Sequence, residues 1–392
     1  MTRQTFALLI GINEYQSADI WNLRSAKKDA RRIEQWLLHD LLVPPGHICT
    51  LFDSQATKGN IEDRFASHLI QNPAIESGDA IVVYFAGHGS SLRAPSTWLE
   101  RGHGDVSVLC PYDYDTKISS GRFNAGISDA SLDAMLQDLS EAKGDNITVI
   151  LDTCFSLPSG HIDPLERRVI RYTPTRKAKP QDLLAGMWQG STHSRKAPSV
   201  GGRGFTGVAP ASHTVLAACA AGWAAVERDD GGIFTSAFMA LKDSRALHKV
   251  TYADLPLELR PYMGDHQEAV CAGANADRIL FNGVPFASDN HFVAAAPHDE
   301  KHLRIHAGAM HGITVGTELS LHPHNHKGSL NLPLGIFIVT EVFSTWCLAE
   351  PDHPGKEAQR GGWAQVTRWN TETPFRVDVQ PSFLSQIGRA HV

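Results

Sequence analysis

The sequence predicts an α/β protein with a mostly parallel sheet between helices, followed by a small all-β module. Three observations predict it. Apolar strand-like runs alternate with helical periodicity from about residue 5 to residue 285. Those runs are continuously apolar, as expected of parallel strands covered on both faces. Beyond about residue 290 the pattern becomes short alternating segments between Gly-, Pro- and His-containing turns, the signature of a small β domain.

The elements follow in order. TFALLIGI is the first buried strand. LRSAKKDARRIEQWLLHDL places Leu23, Ala26, Ala30, Ile33, Trp36, Leu37 and Leu41 at helical spacing. CTLFDS reads as a strand, and KGNIEDRFASHLIQN as a helix with Ile61, Phe65, Leu69 and Ile70 on one face. DAIVVYFAGHG is the next strand, ISDASLDAMLQDLS the next helix with Ser128 as its cap, and NITVILDTC the strand after it. HTVLAACA and ADRILFNG read as strands, GIFTSAFMALKD and TYADLPLELRPYM as helices. In the β module the expected strands lie in HLRIHAGAM, TELSLH, GIFIVTEVF, TWCLAE and FRVDVQ. Between about 157 and 210 periodicity is lost in a segment rich in Arg and Lys.

Bulk properties exclude several functions. The 392 residues are 42% hydrophobic and 20% charged, ordinary for a globular chain, and the net charge of −6 disfavours nucleic acid. No apolar run is long enough to cross a membrane, and the first one is too short for a secretory leader. Six dispersed cysteines with no CxxC pair argue against a zinc ribbon or a disulfide framework and for a reducing, cytoplasmic compartment. His322–His326 (HPHNH) completes no tetrahedral ligand set. The closing QIGRAHV resembles a translated sequencing adapter, which points to a truncated natural terminus.

Ligands of an open parallel sheet bind at the carboxyl ends of its strands. His88 and Cys154 stand at two such ends. Alone, a buried cysteine is more often a small core residue, and a histidine between glycines more often fills a turn. Together on neighbouring strands they pair as base and nucleophile. The N–H groups of Gly89 and Cys154 would then form an oxyanion hole.

AIVVYFAGHGS and VILDTCFS resemble the caspase-like cysteine peptidases (peptidase C14), especially metacaspases and fungal caspase-domain proteins. ALLIGINEY, LRSAKKDA, LCPYDYDT, ISDASL and VLAACAAGWAAVERDDGGIFTSAF match further family segments in the right order, and CAGANADRILFNG resembles the closing one. The resemblance implies a three-layer α/β/α sandwich over residues 5–285. Its large-subunit part is 5–156, its basic linker 157–210 and its small-subunit part 211–285, and the separate β module covers 290–385. It implies a thiol protease acting on peptides or proteins, with His88 and Cys154 catalytic, Gly89 and Cys154 in the oxyanion hole, and Asp29 and Asp152 binding a substrate Arg or Lys. Read without the resemblance, Asp152 is a strand-end cap and Asp29 a solvated helix residue. The linker, rich in the preferred residues, is an expected site of self-cleavage. No cofactor is required. For Asp113 and Asp129 two readings stand, surface acids or, where the family's acidic cluster is matched only in part, candidate ligands of an activating calcium.

Three departures set an alternative beside this reading. Ala86 replaces a usual Ser and Phe155 a usual His. The expected pocket acid after Cys219 is missing, since Ala220, Ala221, Gly222 and Trp223 follow. The alternative is an inactive caspase-fold scaffold that binds a protein partner through its β module. A weaker third reading is an arginine-selective hydrolase of small esters or amides.

Overall fold

A computed structural model describes residues 4–99, 104–156, 170–188, 212–220, 223–244, 247, 250–264, 267–281, 291–299, 301–322, 325, 333–353 and 361–370. The chain forms two compact units, Met1–Phe286 and Ala287–Val392. The first is an α/β sandwich around a six-stranded sheet. In chain order its elements are β1 (Thr5–Gly11), α1 (Ala26–His39), β2 (Ile48–Phe52) and α2 (Lys58–Arg64), which runs into a π-helical turn at Phe65–Ile70. Then come β3 (Ala80–Ala86), β4 (Gly89–Arg93), α3 (Ser96–Leu99), β5 (Asp105–Leu109), β6 (Ile127–Ser128) and α4 (Asp129–Lys143). β7 (Ile147–Asp152), α5 (Pro180–Ala185), β8 (Thr214–Ala217), β9 (Glu227–Arg228), β10 (Gly231–Gly232), α6 (Ile233–Ser244), α7 (Leu255–Met263) and β11 (Val270–Ala272) complete it.

The sheet order is β11-β8-β7-β3-β1-β2, parallel except for β11. Period-two alternation explains the three layers. Phe6, Leu8 and Ile10 of β1, Ile81, Val83 and Phe85 of β3, and Val149 and Leu151 of β7 pack in one core with Ile61 of α2 and Leu132 and Leu136 of α4. Ala7 and Leu9, Val82 and Tyr84, and Ile150 pack in the other with Ile33 and Trp36 of α1, Phe234 and Phe238 of α6 and Leu259 of α7. Each such side chain fully buried stabilises the fold by about 1.5–3 kcal/mol, which is why these strands are apolar on both sides. Ser128 caps α4 by accepting from Ser131 N, as its sequence position predicts.

One strand is misplaced by the sequence. ADRILFNG has the apolar run of a strand, yet through Phe281 it forms turns and isolated bridge residues, such as Ile279 to Thr251, and no strand. The edge strand is instead the short β11, which pairs antiparallel with β8.

The second unit is a closed antiparallel barrel in the order β12-β13-β16-β15-β14-β17. Its strands are β12 (Phe292–Pro297), β13 (Leu303–Ile305), β14 (Glu318–His322), β15 (Gly335–Val342), β16 (Cys347–Pro351) and β17 (Gly362–Arg368). Closure leaves no open sheet edge. Leu303, Ile305, Leu319, Leu321, Phe337, Val339 and Ala349 fill its core. The expected strand in FRVDVQ falls outside the described residues. No helix among the described residues is long and apolar enough to cross a membrane.

Candidate functional site

The carboxyl ends of β3 and β7 deliver His88 and Cys154. The two strands pair from Ile81–Ile147 to Ala86–Asp152, so their exits run side by side. His88 is buried; its backbone N–H donates to Tyr15 Oη (2.7 Å), and its Nε2 lies 2.7 Å from the carbonyl oxygen of Trp21. A carbonyl only accepts, so Nε2 carries the proton and Nδ1 keeps its lone pair. Nδ1 is buried with no hydrogen-bond partner. Burial drives the imidazole down to about 4, the Trp21 bond pulling the other way and the Arg171 charge adding to the fall. The ring is therefore neutral near neutral pH.

Cys154 is buried beside it, but no hydrogen bond joins the two. The thiol faces Ser156 O (2.6 Å) and Trp223 O (3.3 Å). The direct His–Cys pair expected from the sequence is not formed in this state. A stretch of the chain itself lies across the two strand exits instead. The Cys154 thiol is held below its ordinary value, chiefly by the neighbouring Cys219 and against the effect of burial.

That stretch comes from the basic linker. The carbonyl oxygen of Arg171 accepts from Gly89 N (3.0 Å) and Cys154 N (3.1 Å) together. Arg171 N donates to Ala225 O (2.9 Å), and Thr173 N donates to Gly89 O (3.0 Å). Ile170 bridges Val226 and Tyr172 bridges Gly89, so residues 170–173 lie as an added strand between two loops. Gly89 is required by the close approach, because a Cβ there would collide with Cys154 O and stand 2.8 Å from Thr153 Oγ1.

The Arg171 side chain has no exposed surface, and it ends among three carboxylates. Asp29 Oδ2 is 2.5 Å from Nη2, Asp152 Oδ2 is 2.8 Å from Nη1, and Glu227 Oε2 is 3.5 Å from Nη2. Burial opposes the guanidinium charge, but Asp152 and Asp29 outweigh it and hold Arg171 above its ordinary value. Burial pushes Asp29 up to about 6; Arg171 pulls against this and Asp152 adds to it. Each acid is fixed from behind. Asp29 accepts from Gly232 N, Asp152 from Thr235 Oγ1, and Glu227 from Ser25 Oγ and from Arg24 N ahead of α1. A Cβ on Gly232 would sit 2.8 Å from both Arg171 Nη1 and Asp152 Oδ2, so only glycine lets β10 wall the pocket.

The readings of Asp29 as solvated and of Asp152 as a cap are thus corrected, since both are fully buried on one guanidinium. The acid judged missing after Cys219 is supplied later, by Glu227. Its signal was an acid shortly before the Asp-Asp-Gly-Gly turn, where a β ribbon folds back onto α1. Arg171 lay in a segment without periodicity, where a count of basic residues singles out no particular one.

Downstream of Arg171 the linker stays docked. Thr175 Oγ1 bonds Ser90 Oγ (3.0 Å) and the Tyr114 hydroxyl. Asp115 accepts the backbone N–H groups of Arg176, Lys177 and Ala178. After α5, Trp188 Nε1 donates to Asp138 Oδ2 (2.8 Å). Residues 157–169 and 189–211 lie outside the described residues.

The residues proposed for calcium serve other bonds. Asp113 accepts from Lys58 N, and Asp129, which burial pushes up to about 6, accepts from Ser107 N and Ala130 N. Among the described residues no three acids, histidines or cysteines converge as a metal would require.

A sequence model of the caspase domain matches residues 4–267. No curated protein matches the sequence. Similar solved structures include protein GSU0716 from Geobacter sulfurreducens, 18% identical, with 72% of this chain and 99% of that chain covered and a TM-score of 0.49.

Proposed function

The chain belongs to the caspase-domain family, and from that premise we propose that it is a cysteine endopeptidase cutting after Arg or Lys, its first substrate being its own Arg171–Tyr172 bond. The observation that carries this is the seating of Arg171. Its guanidinium fills a three-acid pocket while its carbonyl oxygen takes the two N–H donors of Gly89 and Cys154. Those donors stand where an oxyanion hole is needed, within hydrogen-bond reach of the carbonyl to be attacked. The pocket suits a flat, forked cation, because paired charge-assisted bonds are the strong ones.

The residues then act as follows. Cys154 gives its proton to Nδ1 of His88, whose protonation state is fixed by the Trp21 carbonyl. Its thiolate attacks the Arg171 carbonyl carbon, and the oxyanion rests on Gly89 N–H and Cys154 N–H. The imidazolium returns the proton to the departing Tyr172 amine, and a thioester joins Cys154 to Arg171. Water, activated by the again neutral imidazole, hydrolyses it. No step runs through a metal. Until the bond is cut or the segment is displaced, the site is closed to other substrates.

A second reading rests on the missing His88–Cys154 hydrogen bond: a caspase-fold scaffold without turnover. Its partner would meet the barrel at exposed Met310, Val315, Phe343 and Trp369. An acyloxymethyl-ketone probe carrying Arg separates the two. Cys154-dependent labelling, abolished in Cys154→Ala, is expected of the peptidase. Absence of labelling after the linker has been cut by an added protease, with or without calcium, supports the scaffold.

A further inference from the structure

The reading of Cys154 as nucleophile leaves a second thiol beside it without a task. β7 and β8 pair in parallel from Thr148–Thr214 to Leu151–Ala217, and Ala218 N donates to Leu151 O (2.9 Å). The two chains therefore leave the sheet together, one carrying Cys154 and the other Cys219. Extending that register sets Cys219 opposite Thr153, one residue short of Cys154; with neighbours about 4.8 Å apart and a rise of about 3.3 Å per residue, the two Cα atoms stand roughly 5.8 Å apart, within the roughly 4.4–6.8 Å that a disulfide spans. Cys219 Sγ is 3.7 Å from the carbonyl oxygen of Thr153, the residue before Cys154. Both side chains pack in the same apolar core, on the face of the sheet that carries α1 and α6. Both cysteines are free in this structure.

The two thiols differ. Cys219 is held well above the usual thiol range by its neighbour Cys154 and by burial, while Cys154 is lowered, chiefly by Cys219. One sulfur is thus the better nucleophile and the other keeps its proton. This is the division of labour between a peroxidatic thiol and a resolving one.

We infer that Cys219 is a resolving thiol: a hydroperoxide oxidises Cys154, and Cys219 then closes a Cys154–Cys219 disulfide that blocks the site reversibly. In the first step the Cys154 thiolate attacks the peroxide O–O bond. Sulfur gains an OH group and is oxidised by two electrons. The other oxygen leaves, is protonated and departs as water or an alcohol. In the second step the Cys219 sulfur displaces that OH from Cys154, and the Cys219 proton leaves with it as water. A dithiol reductant restores both thiols. The inference rests on the Cys154 assignment above only for its effect on activity; the disulfide itself needs only the two sulfurs.

The test treats the full-length chain with hydrogen peroxide and then maps alkylated peptides without reduction. The expected product is about 2 Da lighter than the reduced chain and links the Cys154 and Cys219 peptides. Labelling by the arginyl probe is lost on oxidation and returns with dithiothreitol. In Cys219→Ser the sulfenic acid has no resolving partner, so roughly tenfold more Cys154 reaches the irreversible sulfinic form. Linkage of Cys154 to another cysteine, sulfinic acid forming as fast in the parent as in the variant, or no oxidation at Cys154 overturns the inference. The parent's own disulfide map decides the matter if Cys219→Ser fails to fold. A disulfide that forms in a chain whose reduced form never labels leaves the inference standing and removes the peptidase reading.

Discussion

Replacing Arg171 by Ala in a Cys154→Ala background, where no cutting occurs, isolates the guanidinium. In the parent it holds three carboxylates with no exposed surface on its own side chain. Removing one partner of a buried ion pair costs about 3–5 kcal/mol. The upper end is expected here, because three acids are left facing one another. At about 2–4 °C per kcal/mol, the first unit should melt roughly 10–20 °C lower at pH 7. The sign of the pH effect follows from Asp29, which is already raised to about 6. A carboxyl raised in the folded state costs stability as pH rises past its unfolded value, near 3.9. Without the cation, which pulls Asp29 down, Asp29 rises further, so the deficit should shrink between pH 7 and pH 5. His88 loses the Arg171 charge that helps to lower it; a lowered imidazole costs stability as pH falls, so its partial relief in the variant shrinks the deficit toward pH 5 as well. An added guanidinium compound should refill the pocket, returning about 2.7 kcal/mol at a hundred times its dissociation constant. Calorimetry at the two pH values, with and without the compound, reads all of this. A variant melting within 1–2 °C of its parent at both pH values, and indifferent to the compound, would refute the seating of Arg171.

Other perturbations follow from the same geometry. Gly89→Ala puts a methyl against Cys154 O and Thr153 Oγ1; Cys154 labelling by the arginyl probe should fall at least about a hundredfold, as for a lost oxyanion donor. Glu227→Gln removes the weakest of the three carboxylate contacts, at 3.5 Å; kcat/KM for an arginyl substrate should fall roughly tenfold, the loss of one charge-assisted bond, while Asp152→Asn should cost more. Asp115→Ala frees three backbone N–H groups of the docked linker; limited proteolysis near residue 177 should quicken at least about tenfold if the clasp is worth 1.5 kcal/mol or more. Phe337→Ala empties the barrel centre and should lower barrel stability by about 3–5 kcal/mol.

The framework was legible because parallel strands buried on both faces need continuous apolar runs. TFALLIGI, AIVVYF and ITVIL could hardly be anything else, and their ends fixed where His88 and Cys154 would stand. Short elements that carry no periodicity were not legible. β11 is three residues long, and β12 and β17 alternate Ala, Gly and Trp too weakly to stand out from turns. The pocket divided along the same line. Asp29 and Asp152 lie within regular elements, α1 and β7, whereas Glu227 and Arg171 lie in a ribbon and a linker whose positions are set by the charges they meet. A basic linker advertises Arg and Lys in general; only the three-acid pocket selects Arg171 from among them.

The most direct measurement is the mass of the fragments formed when the pure full-length chain is incubated under reducing conditions, with and without calcium. The account predicts one primary cut, giving a fragment that ends at Arg171 and another that begins at Tyr172. Both should be absent from Cys154→Ala and Arg171→Ala and retained in Arg171→Lys. A Cys154-dependent cut at a different bond, with Arg171–Tyr172 left whole, would contradict it.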